Sequence, residues 1–150
     1  MRHVLLSILI LIGTDAFATV ERVAICNTVV KSNFRNHARA TITEADITIL
    51  KSRKGYVLNE DGQRRVTDFS NPELLDLSMR CTFQSDGKHS LCHETINHLE
   101  MGLNYKSGNA VRVFATYYKN SGRLHMTSET VEGSTSRPLA DIILQCEPIR

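Results

Sequence analysis

The chain has 150 residues, a hydrophobic fraction of 41% and a formal net charge of +2 at pH 7. This composition is typical of a folded globule rather than a disordered chain. The small positive excess argues against nucleic-acid binding, which normally depends on a strongly basic face. Because no repeat and no Pro/Gly/Ser-rich linker divides the chain, we expect one domain.

The first 18 residues have the pattern of an export signal. A positively charged start precedes the apolar run 4–12, and Ala16 and Ala18 stand where a signal peptidase requires small residues. The run is far shorter than the roughly 20 apolar residues of a membrane-spanning helix. We therefore expect a signal peptide followed by a single disulfide-stapled, β-rich domain at 19–150. The mature protein would then be secreted or periplasmic, and the lack of any Asn-x-Ser/Thr acceptor favours a bacterial source.

The first half of the mature domain contains less regular strand patterns than the second. Strands are expected at 20–30 and 41–50. A hairpin is expected where 55–58 and 64–69 flank the polar turn 59–62.

A short helix is predicted at 71–77. Asn71 can cap it, Pro72 suits the first helical position, and Glu73 adds an acid to the first turn. Residues 90–97 fit either a helix or a strand, and the sequence leaves that choice open.

The second half alternates apolar and polar residues with a period of two, which indicates strands with one buried face. These strands are expected at 99–106, 111–118, 124–131 and 139–146, with turns at 107–109 and 120–122. Short strands joined by Gly/Asn/Ser turns are typical of an antiparallel meander. The sequence therefore predicts an all-β or β-rich α+β fold, either a sandwich or a closed barrel.

The four cysteines follow the predicted signal and can form disulfides in an oxidising compartment. Of three possible pairings, the spacing favours Cys81 with Cys92, because they enclose the polar turn 85–88 and a hairpin could bring them together. Cys26 and Cys146 would then tie the two ends of the mature chain. A four-cysteine zinc site is the alternative, but the close Cys-x-x-Cys pairs of such sites are missing.

Histidines provide the sharpest candidate for metal chemistry. His93-Glu94 followed by His98 resembles the zinc-protease motif, but the histidines are five rather than four residues apart. They would not share one helical face, and on a single strand they would point to opposite sides. A looser metal site at His89, His93 and His98, completed by His125 or Glu94, remains as an alternative.

No catalytic signature is present: the chain lacks a Gly-x-Ser-x-Gly elbow, a phosphate-binding Gly-rich loop and a free-cysteine motif. An acid–base pair of His93 or His98 with Glu94, Glu100 or Asp86 could serve a small hydrolase or nuclease. Such pairs also arise by chance in any chain with several histidines. We therefore expect a protein without cofactor and without catalysis, with a His-dependent hydrolase as an alternative.

Two surface features are candidate binding sites. One is a group of cations around a tyrosine on the expected hairpin, and the other is the outward face of the strand at 112–118. The residues are Lys51, Arg53, Lys54, Tyr56, Arg64 and Arg65 for the first, and Arg112, Phe114 and Tyr118 for the second. A solvated edge hairpin guarded by lysine and arginine would produce the first pattern without any partner.

These features predict an exported binding module that recognises a protein or an anionic glycan through its surface loops. The alternative is a barrel that carries a small hydrophobic ligand in a cavity lined by Leu103, Val113 and Ile142.

Overall fold

The computed structural model describes residues 19–35, 41–60, 65–67, 78–102 and 111–150. No described residue belongs to a helix long and apolar enough to cross a membrane. In chain order the strands are β1 (Glu21–Phe34), β2 (Thr41–Glu44), β3 (Ile47–Lys51), β4 (Gly55–Glu60), β5 (Arg65–Thr67), β6 (Met79–Thr82), β7 (Ser90–Glu94), β8 (His98–Met101), β9 (Val111–Tyr118), β10 (Arg123–Glu132) and β11 (Thr135–Pro148).

Nine of the described strands close into a barrel in the order β1-β11-β10-β9-β8-β7-β6-β4-β3, and β3 returns to β1. Neighbouring strands are antiparallel except β6 and β7, which run parallel. β2 and β5 form a separate two-stranded sheet. The predicted all-β fold is confirmed, in its closed-barrel form.

The alternating pattern in the second half places one face of each strand inside the barrel. On β9, Val113, Ala115 and Tyr117 are buried, while Phe114 and Tyr118 are exposed. Burial of apolar surface on this inner face is the main favourable contribution to folding. The largest fully buried side chains are Phe34, Ile47, Ile49, Leu58, Leu99, Leu124, Met126, Ile142 and Leu144.

The first half differs from its predicted pairing. The strand expected at 41–50 is divided at Ala45 and Asp46, and β2 leaves the barrel to pair with β5. The hairpin expected between 55–58 and 64–69 is wrong, because β4 pairs with β3 and β6 instead. Residues 90–97, for which the sequence allows either a helix or a strand, contain the strand β7.

Several expectations fall on residues that the structure does not describe. The signal peptide at 1–18, the helix at 71–77 and the turn at 107–109 lie outside the described residues, as do residues 103–106 of the strand expected at 99–106.

Both expected disulfides are present. Cys26 and Cys146 are direct partners on β1 and β11, and their bond crosses that pairing. Cys81 and Cys92 are also bonded, but the hairpin expected between them is wrong because β6 and β7 run parallel. The connection at 83–89 turns back so that Ser90 starts beside Cys81. The two bonds are compatible with an extracellular or periplasmic location.

One end of the barrel gathers the turns 52–54, 95–97 and 119–122 together with the connection 83–89, and we call it the loop end. Strand register places them there, since Lys51 pairs with Tyr56 and His98 pairs with Tyr118. Backbone hydrogen bonds join them: the Phe83 N–H donates to the Lys54 carbonyl at 2.9 Å, and the Lys119 N–H donates to the Asn97 carbonyl at 2.9 Å.

Gly55 permits this arrangement. A Cβ atom at this position would collide with the carbonyl oxygen of Cys81 on the neighbouring strand β6. Only glycine therefore lets β4 leave the 52–54 turn and pair with β6 at this distance.

Candidate functional site

A carboxylate on β7 holds the loop end together. Glu94 Oε1 accepts a hydrogen bond from the Tyr56 hydroxyl at 2.6 Å and another from Lys119 Nζ at 2.8 Å. Lys51 Nζ lies 3.8 Å from the same oxygen and 5.3 Å from the centre of the Tyr56 ring. The Glu94 side chain is 25% exposed, so these contacts connect β3, β4 and β7 in a partly desolvated setting.

The protonation of this cluster follows from its contacts. Burial acts to raise the pKa of Glu94, but the hydrogen bonds from Lys119 and Tyr56 prevail and its pKa is lowered. Burial raises the pKa of Tyr56, and the adjacent Glu94 raises it further. Tyr56 therefore stays a neutral hydrogen-bond donor to an ionised carboxylate at neutral pH.

Three grooves open around the 52–54 turn. The largest, about 550 Å³, includes Lys51, Lys54, Tyr56 and His89 in its lining. The second, about 440 Å³, runs between Lys54 and the connection 83–89, and the third, about 370 Å³, lies beside residues 19–21. Residues of this turn line all three grooves, so the turn borders the whole concave region.

The charges in this region favour an anion. Arg53 and Lys54 are exposed, and no carboxylate of the described residues lies within ion-pair distance of either. The larger groove also contains Arg80, which is exposed. Glu21 is the acidic residue on the side of the third groove.

Asp86 borders two of the grooves, but its charge is already engaged. Its Oδ2 lies 2.7 Å from His89 Nδ1, and its Oδ1 accepts the backbone N–H groups of Lys88 and His89 at 2.9 and 2.8 Å. The ring hydrogen bond from His89 and these backbone donors hold the pKa of Asp86 well below its usual range. Asp86 is therefore ionised at neutral pH and fixes the 83–89 connection through these hydrogen bonds, as an acidic residue at the border of both grooves.

An apolar surface flanks the cations. The Phe83 ring is 39% exposed and meets the Tyr56 ring edge-on, with centroids 5.8 Å apart. Tyr56, the tyrosine of the predicted basic group, is only 3% exposed and packs beneath the groove that it lines. Phe83 was not singled out by the sequence, where it carries no pattern beyond its place next to a polar turn.

The structure divides the predicted basic group. Lys51, Arg53 and Lys54 lie together at the loop end. Arg65 pairs with Glu44 on the separate sheet, beyond the barrel end at which Ile47 pairs with Glu60, so it does not share their hairpin. Arg64 lies outside the described residues.

The predicted aromatic face of β9 is exposed, and none of its residues lines the three grooves. Phe114 and Tyr118 are 38% and 44% exposed, and Tyr118 packs beside His98 with ring centroids 6.4 Å apart. Arg112 is six residues from Tyr118, about 20 Å along the strand, and its Nη1 lies 3.5 Å from Glu129 Oε1.

The histidines are arranged differently from the expected metal set. His89 contacts Asp86, and His125 Nε2 lies 2.6 Å from Asp141 Oδ1. His93 and His98 do share one face, because the turn at 95–97 places them on two paired strands rather than on one.

Glu100 completes this group. His93 Nδ1 is 3.3 Å from Glu100 Oε2, and His98 Nε2 is 3.3 Å from Glu100 Oε1. Thr95 and Asn97 between the histidines are turn formers, and reading them as a hairpin would have brought the three residues together from sequence.

Fold and site together define a disulfide-bonded, closed mixed β-barrel with cationic grooves at one end and an exposed histidine–glutamate cluster beside them. Comparison with protein-family models, with curated proteins and with solved structures found no match to this chain.

Proposed function

We propose that this protein is an exported, non-enzymatic binding module whose loop-end grooves hold an acidic glycan. The observation that carries the proposal is the convergence of three grooves on the exposed cations Arg53 and Lys54. Concave sites with a few convergent polar groups are the usual places where proteins bind ligands.

The electrostatics support an anionic ligand. Glu94 is in ion-pair contact with both Lys51 and Lys119, and Asp86 is in contact with His89. Arg53 and Lys54 are thus the charges of the turn that remain available to a ligand's carboxylate or sulfate groups. Guanidinium groups can bind such anions through two parallel hydrogen bonds.

The shape of the surface supports a glycan over a protein. A stable protein–protein interface buries about 800 Å² on each partner, and lysine is depleted from the core of such interfaces. Here the cations line open grooves of 370 to 550 Å³, a volume suited to a few sugar units. The exposed Phe83 ring beside them offers an apolar surface for the C–H face of a sugar.

The scaffold under the grooves is rigid. The Cys81–Cys92 bond, the Tyr56–Glu94 hydrogen bond and the backbone hydrogen bond from Phe83 to Lys54 fix the walls before a ligand arrives. Fixing a binding surface in advance lowers the entropy cost of association.

We place the ligand on the surface rather than inside the barrel. Val113 and Ile142, which were expected to line an internal cavity, are buried members of one packed core cluster. Leu103, the third expected lining residue, lies outside the described residues.

Isothermal titration of the untagged mature protein with polygalacturonate, dextran sulfate and neutral dextran tests the proposal. We expect binding of at least one of the two anionic polymers, no binding of neutral dextran, and weaker binding at higher salt. The double variant Arg53→Glu/Lys54→Glu should weaken binding by about tenfold or more through charge reversal.

The matched control is Arg123→Glu/Arg137→Glu, which changes the net charge equally at exposed positions on β10 and β11. If both double variants bound the anionic polymer equally weakly, binding would depend only on the net charge of the protein, and the proposed site would be wrong. If the protein bound poly-glutamate but neither anionic polysaccharide, the ligand of the grooves would be an acidic protein rather than a glycan.

A further inference from the structure

We propose that His93, His98 and Glu100 form a binding site for a divalent transition-metal ion, with Zn²⁺ as the expected occupant. The site is separate from the glycan grooves and does not depend on them. Among the described residues, these are the His, Cys, Asp and Glu side chains that offer three ligand atoms all within 4.8 Å of one another.

Strand register places the three side chains on one face. His93 on β7 and Glu100 on β8 are direct partners in an antiparallel pair. His98 precedes Glu100 by two residues on the same strand, so both side chains point to the same side of the sheet. The arrangement therefore belongs to the hairpin backbone and does not rest on the conformation of a long loop.

The distances match what a metal ion requires. The two imidazole nitrogens each lie 3.3 Å from a carboxylate oxygen of Glu100. Zinc bound at about 2.1 Å in tetrahedral geometry separates its ligand atoms by about 3.4 Å. The three ligand atoms lie within 4.8 Å of one another, and rotation of the exposed His93 and Glu100 side chains can bring them around one ion.

The environment also orients His98. Its Nδ1 lies 3.2 Å from Thr95 Oγ1, which leaves Nε2 facing Glu100. Thr95 is itself fixed, because its Oγ1 accepts the backbone N–H groups of Asn97 and His98 at 3.2 and 3.1 Å. Metal-binding histidines commonly make such a contact through the ring nitrogen that does not bind the metal.

The ammonium group of Lys119, which follows the paired strand β9, is already held at the 95–97 turn. Lys119 Nζ donates to Glu94 Oε1 and, at 2.9 Å, to the carbonyl oxygen of Thr95. It is therefore held on the side of the turn that carries Glu94.

The donor set selects the kind of ion. Two imidazole nitrogens and one carboxylate suit Zn²⁺ and Cu²⁺, whereas Mg²⁺ and Ca²⁺ prefer oxygen ligands throughout. The His93 side chain is 73% exposed and that of Glu100 is 51% exposed. Water can therefore fill the remaining coordination position, and the ion would exchange with the solvent.

Other histidines of the described residues provide matched controls. His89 contacts Asp86, and His125 contacts Asp141, but neither pair belongs to a group of three donors. Each control removes one imidazole next to a carboxylate without touching the proposed ligands.

The test is isothermal titration of metal-free, untagged mature protein with ZnCl₂, accompanied by visible absorption after Co²⁺ is added. We expect one ion per chain and cobalt bands of tetrahedral type. His93→Ala and Glu100→Gln should each weaken Zn²⁺ binding by about 100-fold, and His89→Ala and His125→Ala by about twofold at most. Thermal unfolding of each variant verifies that it is folded, as the exposure of both side chains predicts.

Tighter binding of Cu²⁺ than of Zn²⁺, with the same sensitivity to His93→Ala, would support the site, because it follows the general affinity order of these ions. The proposal is overturned if Zn²⁺ does not bind, if millimolar Mg²⁺ displaces it, or if His93→Ala and Glu100→Gln bind it as tightly as the unaltered protein.

Discussion

The two sides of the barrel are built differently. The strands β1, β9, β10 and β11 have 14, 8, 10 and 14 residues and form long antiparallel pairings. The strands β4, β6, β7 and β8 have only 6, 4, 5 and 4 residues, and two of them run parallel. We call these the long side and the short side.

The difference shows how stability and binding are divided in this molecule. The long side is held by many backbone hydrogen bonds and by a regular inner face, which leaves little freedom to vary. The short side has few ladder bonds and is held by side-chain ties, namely the Cys81–Cys92 bond and the contacts to Glu94. The cationic grooves and the histidine–glutamate cluster both lie on the short side or border it, where loops are positioned by those ties.

The largest expected effect on stability comes from removing each disulfide in turn, which compares the long side with the short side. The bond between Cys26 and Cys146 joins long strands and spans 120 residues, whereas that between Cys81 and Cys92 spans 11. If both act by restricting the unfolded chain, the paired alanine variants should lose about 5 and about 3 kcal/mol of unfolding free energy, respectively. Urea unfolding under non-reducing conditions measures both values.

A larger loss for the Cys81–Cys92 pair would contradict chain entropy as the main cause. It would mean that this bond holds the native short side in shape. The same variant would then also weaken the hydrogen bond between Tyr56 and Glu94, which NMR of the Tyr56 hydroxyl can report.

Three strands of the long side, β9, β10 and β11, are the part of the fold that the sequence predicts well. Residues 111–118 alternate because one face of β9 is buried, and the predicted and observed bounds of this strand agree. For the same physical reason, the strands predicted at 124–131 and 139–146 are found within β10 and β11. A period of two is a local signal, and β9, which pairs with β10 without a register shift, displays it along its length.

The short side depends on nonlocal choices that a period does not encode. The pattern of residues 64–69 correctly predicts a strand, which is β5. Nothing in that pattern specifies that β5 pairs with β2 rather than with β4. The parallel register of β6 with β7 is equally hidden, because a polar turn between cysteines fits a hairpin too. The sequence names His93 and His98 as metal-ligand candidates but not Glu100 as the third, because it treats the two paired strands as one.

Buried and exposed leucines provide the next comparison. Leu144 on β11 is 0% exposed and pairs with Leu124 and Val29, whereas Leu91 on β7 is 54% exposed. We expect Leu144→Ala to cost about 2–5 kcal/mol, since it removes buried methyl groups and leaves a cavity. Leu91→Ala should change the unfolding free energy by less than about 0.5 kcal/mol. Chemical denaturation measures both values. Similar losses of unfolding free energy in the two variants would contradict the assignment of Leu144 to the core and Leu91 to the surface.

A smaller effect is expected for the hydrogen bond that closes the loop end. Tyr56→Phe removes the donor to Glu94 and should cost about 1 kcal/mol of unfolding free energy. It should also raise the pKa of Glu94, because the Tyr56 hydrogen bond is one of the contacts that lower it. Carboxyl NMR titration measures this shift, and Tyr118→Phe is the control because that ring is 44% exposed. An unchanged Glu94 titration in Tyr56→Phe would mean that the lysines alone determine its ionisation.

The smallest effect is expected on the outer face of the long side, where Asp141 lies between Lys31 and His125. The 2.6 Å hydrogen bond from Lys31 lowers the pKa of Asp141, and the contact with His125 lowers it further. A carboxyl whose pKa is lowered by folding stabilises the native state above its unfolded pKa, and this contribution is lost as the pH falls through its folded pKa.

Asp141→Asn should therefore destabilise the protein at neutral pH, by less than about 1 kcal/mol because both partners are well exposed. The difference from the unaltered protein should shrink between about pH 5 and pH 2, where Asp141 itself becomes neutral. Thermal unfolding across this range measures it, with the exposed Asp46→Asn as the control for a lost charge. If the difference stayed constant with pH, the contacts of Asp141 would contribute through packing, and the outer face of the long side would need no ion pairs to hold its strands.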